Sequence, residues 1–120
     1  NRYKWNLKNI TNKLKNNNIK KNIFYKNITY LLNIRRKQKA FHPNASRLNL
    51  NFGTKIYGFK RISIDKKQTI LCITNLSSKI QRVQLNKAYH SWNNLIGTKI
   101  EIKNKLLILK PFETIWLSNR

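Results

Sequence analysis

The period of the hydrophobic positions changes once along this chain. Up to residue 37 they fall at helical spacing, and from residue 47 they alternate with polar residues or form short blocks. Asn6 is placed to cap a short first helix, in which Leu7, Ile10 and Leu14 fall at i, i+3 and i+7; Asn16-Asn17-Asn18 breaks it. A second, stronger helix is predicted over residues 20–37. Phe24, Ile28, Leu31 and Leu32 form its apolar stripe, and Ile23, Tyr30 and Ile34 widen it. A face that broad requires another surface to lie on. Arg35, Arg36 and Lys37 suit the partial negative charge of the helix C-terminus. The Phe41-His42-Pro43-Asn44 turn then stops the helix, because Pro43 lacks a backbone N–H and pushes His42 out of the helical region.

Beyond that turn the pattern reads as short strands. Leu48, Leu50 and Phe52 alternate and end at Gly53. Over residues 56–64, Ile56, Gly58, Lys60 and Ile62 share one side, with Tyr57, Phe59, Arg61 and Ser63 on the other. Asp65-Lys66-Lys67 turns into residues 68–75, where the near-continuous apolar run at 69–73 predicts a central strand buried on both faces. Leu76-Ser77-Ser78 turns again into 79–85, with Ile80 alternating against Gln81 and Val83 against Gln84. After the irregular Tyr89-His90-Ser91-Trp92 come Asn94-Leu95-Ile96-Gly97 and strand patterns at 99–102, 105–109 and 113–117. Lys103-Asn104 is the expected hairpin turn, and Pro111 belongs at an edge or connection. The fold class is therefore α+β: N-terminal helices over residues 1–46, then an antiparallel sheet or sandwich over 47–120.

Charge changes this picture less than its size suggests. Twenty-six Lys and Arg face only Asp65, Glu101 and Glu113, a formal charge of +23, which by itself points to a nucleic acid or an anionic surface. Lys, Asn and Ile are abundant together, however, and all three are written by A- and T-rich codons. Selection for nucleic acid would raise Lys and Arg without Ile and Asn, and bidentate recognition would favour Arg over the Lys that predominates here. The charge is read as compositional drift on a solvated surface.

The chemistry-bearing residues are sparse. Cys72, alone between apolar residues, reads as a small buried hydrophobe, and a single Cys leaves only a lean to the cytoplasm. No apolar run approaches membrane-spanning length, so no membrane partner is expected. His42, His90 and Cys72 have no ligand spacing, and neither a metal nor a cofactor is expected. The three acids sit in a turn or on late strand patterns, which does not suggest the paired carboxylates of sugar cleavage. His42 is read as bonding local backbone to fix the hinge, the other reading being a reach toward a substrate cleft. Trp92 and Trp116 are read as core; only pairing on an exposed face would favour a carbohydrate platform.

LLNIRRKQKAFHPNA, followed by IYGFKRIS, QTILCITNLS, Trp92-Asn93-Asn94-Leu95-Ile96-Gly97 and LKPFETIWLSN, resembles the end of a sucrose phosphorylase-type enzyme of the α-amylase superfamily. The resemblance runs along nearly the whole chain and is most specific over residues 40–45. It implies that residues 1–46 are the loop and helices closing a catalytic TIM barrel, and that 47–120 are a C-terminal antiparallel β domain. It further implies that the nucleophile and acid/base lie upstream, and that this segment is non-catalytic by itself. The absence of Met and the start at Asn1-Arg2-Tyr3 fit the same expectation of a C-terminal fragment. Such phosphorylases carry a motif close to Asn-Arg-His whose Arg holds the sugar in the glucosyl subsite. The matching residue here is Arg2, with Tyr3 where the family has His. The implied partners are the upstream barrel, the sugar substrate and phosphate, with no specific nucleic acid. The alternative is a free-standing basic β domain that binds nucleic acid.

Overall fold

The computed structural model describes residues 4–15, 20–97 and 100–120, and the chain divides into two units, residues 1–35 and 36–120. In the first unit, α1 (Leu7–Lys15) begins where Asn6 Oδ1 accepts the Lys8 N–H at 2.9 Å, the expected cap. The Asn16-Asn17-Asn18 breaker lies outside the described residues. The second helix, α2 (Lys20–Arg36), matches the predicted span to within a residue. Its stripe stays largely in solvent: Phe24 is 70% exposed, and Ile23, Ile28, Tyr30 and Leu32 are exposed as well.

The second unit is a two-sheet sandwich. Its strands are β1 (Ser46–Asn51), β2 (Ile56–Ile62), β3 (Thr69–Asn75), β4 (Gln81–Gln84), β5 (Asn93–Asn94), β6 (Glu101–Lys103), β7 (Leu106–Leu109) and β8 (Thr114–Ser118). One sheet runs β1-β2-β3-β8-β5 and the other β4-β7-β6, with every pairing antiparallel. Between them lies the main core. Ile56, Leu71, Ile73, Ile115 and Leu117 of the larger sheet meet Val83, Leu107 and Leu109 of the smaller one, together with Leu85 just past β4. A strand pleat sends alternate residues to opposite faces, so Ile70 and Cys72 of β3 enter a second cluster with Ala40 behind the sheet. β3 is thus the central strand buried on both faces that its unbroken apolar run predicts.

Local chemistry explains the details. Gly58 faces the inner side of β2, where an added Cβ would stand 2.5 Å from the Phe52 ring, so the missing side chain is what lets Phe52 fold over the core edge. Lys103 pairs directly with Leu106, which makes Asn104-Lys105 the hairpin loop, one residue later than Lys103-Asn104. Both loop residues take positive φ, 51° and 67°, the conformation a two-residue hairpin needs to match strand twist. Ile80 precedes β4 and is exposed, while Val83 and Leu85 face inward.

The sheets are joined at one end by Asn75, which is wholly buried. Its Nδ2 donates to the Lys79 and Lys110 carbonyls, each at 2.8 Å, and its Oδ1 accepts the Ser77 N–H and hydroxyl. Every polar group on this side chain is satisfied, as burial demands.

Candidate functional site

The least generic stretch of the sequence forms a hinge segment fastened to the back of the larger sheet. After α2, Gln38 is extended and Lys39–Phe41 make a single 3-10 turn. His42 then takes φ −57° and ψ 141°, the conformation imposed on a residue before proline. Its Nδ1 accepts the Asn44 N–H at 3.2 Å, the local backbone bond expected of it.

 The Ala40 side chain is wholly buried; its N–H donates to Gln68 Oε1 at 3.0 Å, and its carbonyl accepts from Arg61 Nε at 3.0 Å. The same guanidinium donates to the His42 carbonyl, and Gln68 Nε2 donates to Gln38 Oε1 at 2.7 Å. Phe41 meets the Trp116 ring edge-on at 4.9 Å. A backbone amide buried this deeply needs both partners, and two long side chains, Arg61 on β2 and Gln68 just before β3, supply them.

Beside the hinge lies a shallow depression of about 280 Å³ lined by Lys39, His42, Ser63, Ile64 and Asp65. Its carboxylate is fully engaged. Asp65 accepts from Ser63 Oγ at 2.6 Å, from the Lys67 N–H at 3.1 Å and from Lys39 Nζ at 3.1 Å. These bonds, the Ser63 hydroxyl first, hold the carboxyl far below the ordinary carboxylate range. Glu101 is lowered as well by its bond to Lys103, 2.7 Å away. Glu113 accepts the Lys110 N–H at 2.7 Å and closes the turn at Pro111. Sugar cleavage by an acid and a base needs one carboxyl kept protonated. Asp65 and Glu101 are pushed the other way.

Among the described residues no group of three His, Cys, Asp or Glu is placed to hold a metal ion. Cys72 is buried, and burial pushes its thiol up to about 12, so it is no nucleophile at neutral pH. Trp92 stands edge-on to Tyr89 at 4.7 Å and packs against the main core, and Trp116 packs on the hinge; neither forms an exposed pair. Arg2, the candidate sugar-holding residue, lies outside the described residues. Sequence reasoning missed Arg61, Gln68 and Asn75, whose signal is faint: polar residues with long or amide side chains at the ends or edges of apolar strand patterns. No helix among the described residues is long and apolar enough to cross a membrane.

No protein-family model matches the sequence, and no curated protein matches it. Solved structures do match in fold. An α-glucosyl transfer enzyme superposes with a TM-score of 0.63 at 17% identity, covering 79% of this chain and 17% of that one. Trehalose-6-phosphate hydrolase from Bacillus licheniformis gives 0.57 at 19% identity, covering 74% and 17%. A family GH13_31 enzyme gives 0.58 at 20% identity, covering 92% and 18%. The chain therefore spans less than a fifth of the length of each of these enzymes. Most of this chain therefore shares the fold of a segment of each of these enzymes.

Proposed function

We propose that this chain is the non-catalytic C-terminal segment of a sucrose phosphorylase-like enzyme, which moves a glucosyl group from an α-glucoside such as sucrose to phosphate. The observation that carries the reading is the fold match, which covers most of this chain and under a fifth of each matching enzyme. Those neighbours are named for α-glucosyl transfer and for hydrolysis of trehalose 6-phosphate, which supports an α-glucoside as the substrate class. In this reading residues 1–46 close the barrel and 47–120 form the β domain. The barrel of the same chain covers the exposed stripe of α2, and Arg2 holds the sugar in the glucosyl subsite. The partners are that barrel, the sugar and phosphate; no specific nucleic acid and no membrane take part, and the compartment is the cytoplasm. The acids found here support a structural role, since two of the three are held ionised and the third closes a turn.

Two assays test this. The purified chain, given sucrose and phosphate, is expected to release no glucose 1-phosphate, whereas a parent chain carrying the barrel does so. In that parent, Arg2→Lys is expected to lower kcat/KM, because an ammonium cannot reproduce the two-pronged guanidinium contact. Phosphate-dependent release of glucose 1-phosphate by the 120 residues alone would overturn the proposal.

A further inference from the structure

The first strand of the larger sheet stands at an edge without the devices that usually keep sheet edges apart. Among the described residues the edge strands are β1, β5, β4 and β6. Shortness protects an edge, and β5, β6 and β4 have only two, three and four residues. β1 has six, all in unbroken register with β2, and contains neither Pro nor Lys. In a chain with 26 Lys and Arg, its one charged residue is Arg47. That side chain does not guard the edge. Its guanidinium is drawn back over β2, donating to the Tyr57 hydroxyl and lying 4.8 Å from the centre of the Phe59 ring. The peptide groups on the far side of β1 are therefore a template for another strand.

The side chains of β1 select what that strand can be. Pleating puts Arg47, Asn49 and Asn51 on the back of the sheet, and Leu48 and Leu50 on the side of the main core. Leu50 packs against that core, whereas Leu48 is 49% exposed. A two-fold axis perpendicular to the sheet sets each residue opposite one on the same face of the other copy. With Asn49 opposite Asn49, Leu48 meets Leu50, and Arg47 meets Asn51. Leucine is matched with leucine and amide with amide, and no charge faces a like charge, which is what favourable cross-strand pairs require.

We infer that two copies of this chain join edge to edge along β1, antiparallel about Asn49, so that their larger sheets become one continuous sheet. The occupant of the edge is a second copy because the strand is complementary to itself in this register. The formal charge of +23 on each copy opposes their approach. Salt screens that repulsion, so the dimer strengthens as salt is added, the reverse of binding to a polyanion. The inference does not rest on the sugar chemistry of the proposed parent, since the interface belongs wholly to residues 46–51.

The test uses the whole chain carrying Phe24→Gln and Ile28→Gln, so that the exposed stripe of α2 takes no part. Sedimentation at about 0.5 M NaCl is expected to show a monomer–dimer equilibrium with a dissociation constant on the order of 10 μM, weaker at low salt. Asn49→Lys, at an exposed position, sets two ammonium groups against each other on the axis and should weaken the dimer roughly 10-fold or more. Cross-linking reads the register. Directly opposed residues stand about 4.5 to 5.5 Å apart at Cα, within disulfide reach, so Asn49→Cys should oxidise to a covalent dimer. Ser46→Cys, also exposed, lies roughly 20 Å from its counterpart in this register and should not. Cys72 is buried and stays silent. A monomer at about 0.5 mM chain in high salt, a dimer unaffected by Asn49→Lys, or equal cross-linking at positions 46 and 49 would each overturn the proposal.

Discussion

Asn75 is a single residue on which two sheets depend. Its Nδ2 faces the Lys79 and Lys110 carbonyls in a site without solvent, so Asn75→Asp would set an acceptor against acceptors and strand a carboxyl there. A loss of roughly 2 to 4 kcal/mol is expected, read as a lower urea midpoint. Asn75→Asp with an unchanged midpoint would mean that the bridge does not matter. Cys72 gives a pH test with a definite sign. Its thiol is raised from 9.0 to about 12 by burial, so between those values the unfolded chain releases a proton that the folded chain keeps. Stability from this group is complete below pH 9 and drains away as pH rises toward 12. Cys72→Ala or Cys72→Val should flatten that part of the profile, and the native thiol should resist alkylation at neutral pH. Cys72 was legible in the sequence because a lone Cys inside an apolar run has one plain meaning. Asn75 was not, because a polar residue at the end of a strand pattern normally begins a turn, and only the register of β3 against β8 brings the Lys110 carbonyl to it.

At the scale of elements, α2 and β3 were legible for the same physical reason: each carries a long apolar pattern whose period or continuity admits one reading. The short strands β5 and β6 were harder, since two or three residues hold too little pattern to mark an edge. The hinge was half legible. His42-Pro43 announces the turn, but Arg61 on β2 and Gln68 just before β3, which grip Ala40, lie more than twenty residues away where they read as ordinary polar positions. The exposed stripe of α2 leads to a prediction. Burying one Ile or Phe side chain is worth roughly 1.5 to 3 kcal/mol, and Phe24, Ile23, Ile28 and Leu32 all remain exposed. The isolated chain should therefore self-associate and bind a hydrophobic dye, and Phe24→Gln with Ile28→Gln should reduce both. Sedimentation that shows a monomer before and after the substitutions would show that this face needs no partner.

For the whole molecule, the dominant quantity is charge. With +23 carried on 120 residues, repulsion within the fold is screened by salt, so thermal stability should rise as salt is added. Binding to DNA should show no sequence preference and weaken to a dissociation constant of about 1 μM or more at physiological salt, because counterion release drives it. Anisotropy titrations across salt and sequence check this; sequence discrimination that persists at physiological salt would favour the basic nucleic-acid domain instead. The strand order has a consequence in time. β3 lies between β2 and β8, yet β8 begins at Thr114, 39 positions after β3 ends at Asn75. At a ribosome's pace of roughly 5 to 20 residues per second, β3 waits about 2 to 8 s for the neighbour on its far side. Throughout that interval a nascent chain presents an unpaired edge beside Leu71 and Ile73, so the protein's most secure strand when folded is its most vulnerable one during synthesis, and the natural place for a chaperone to bind.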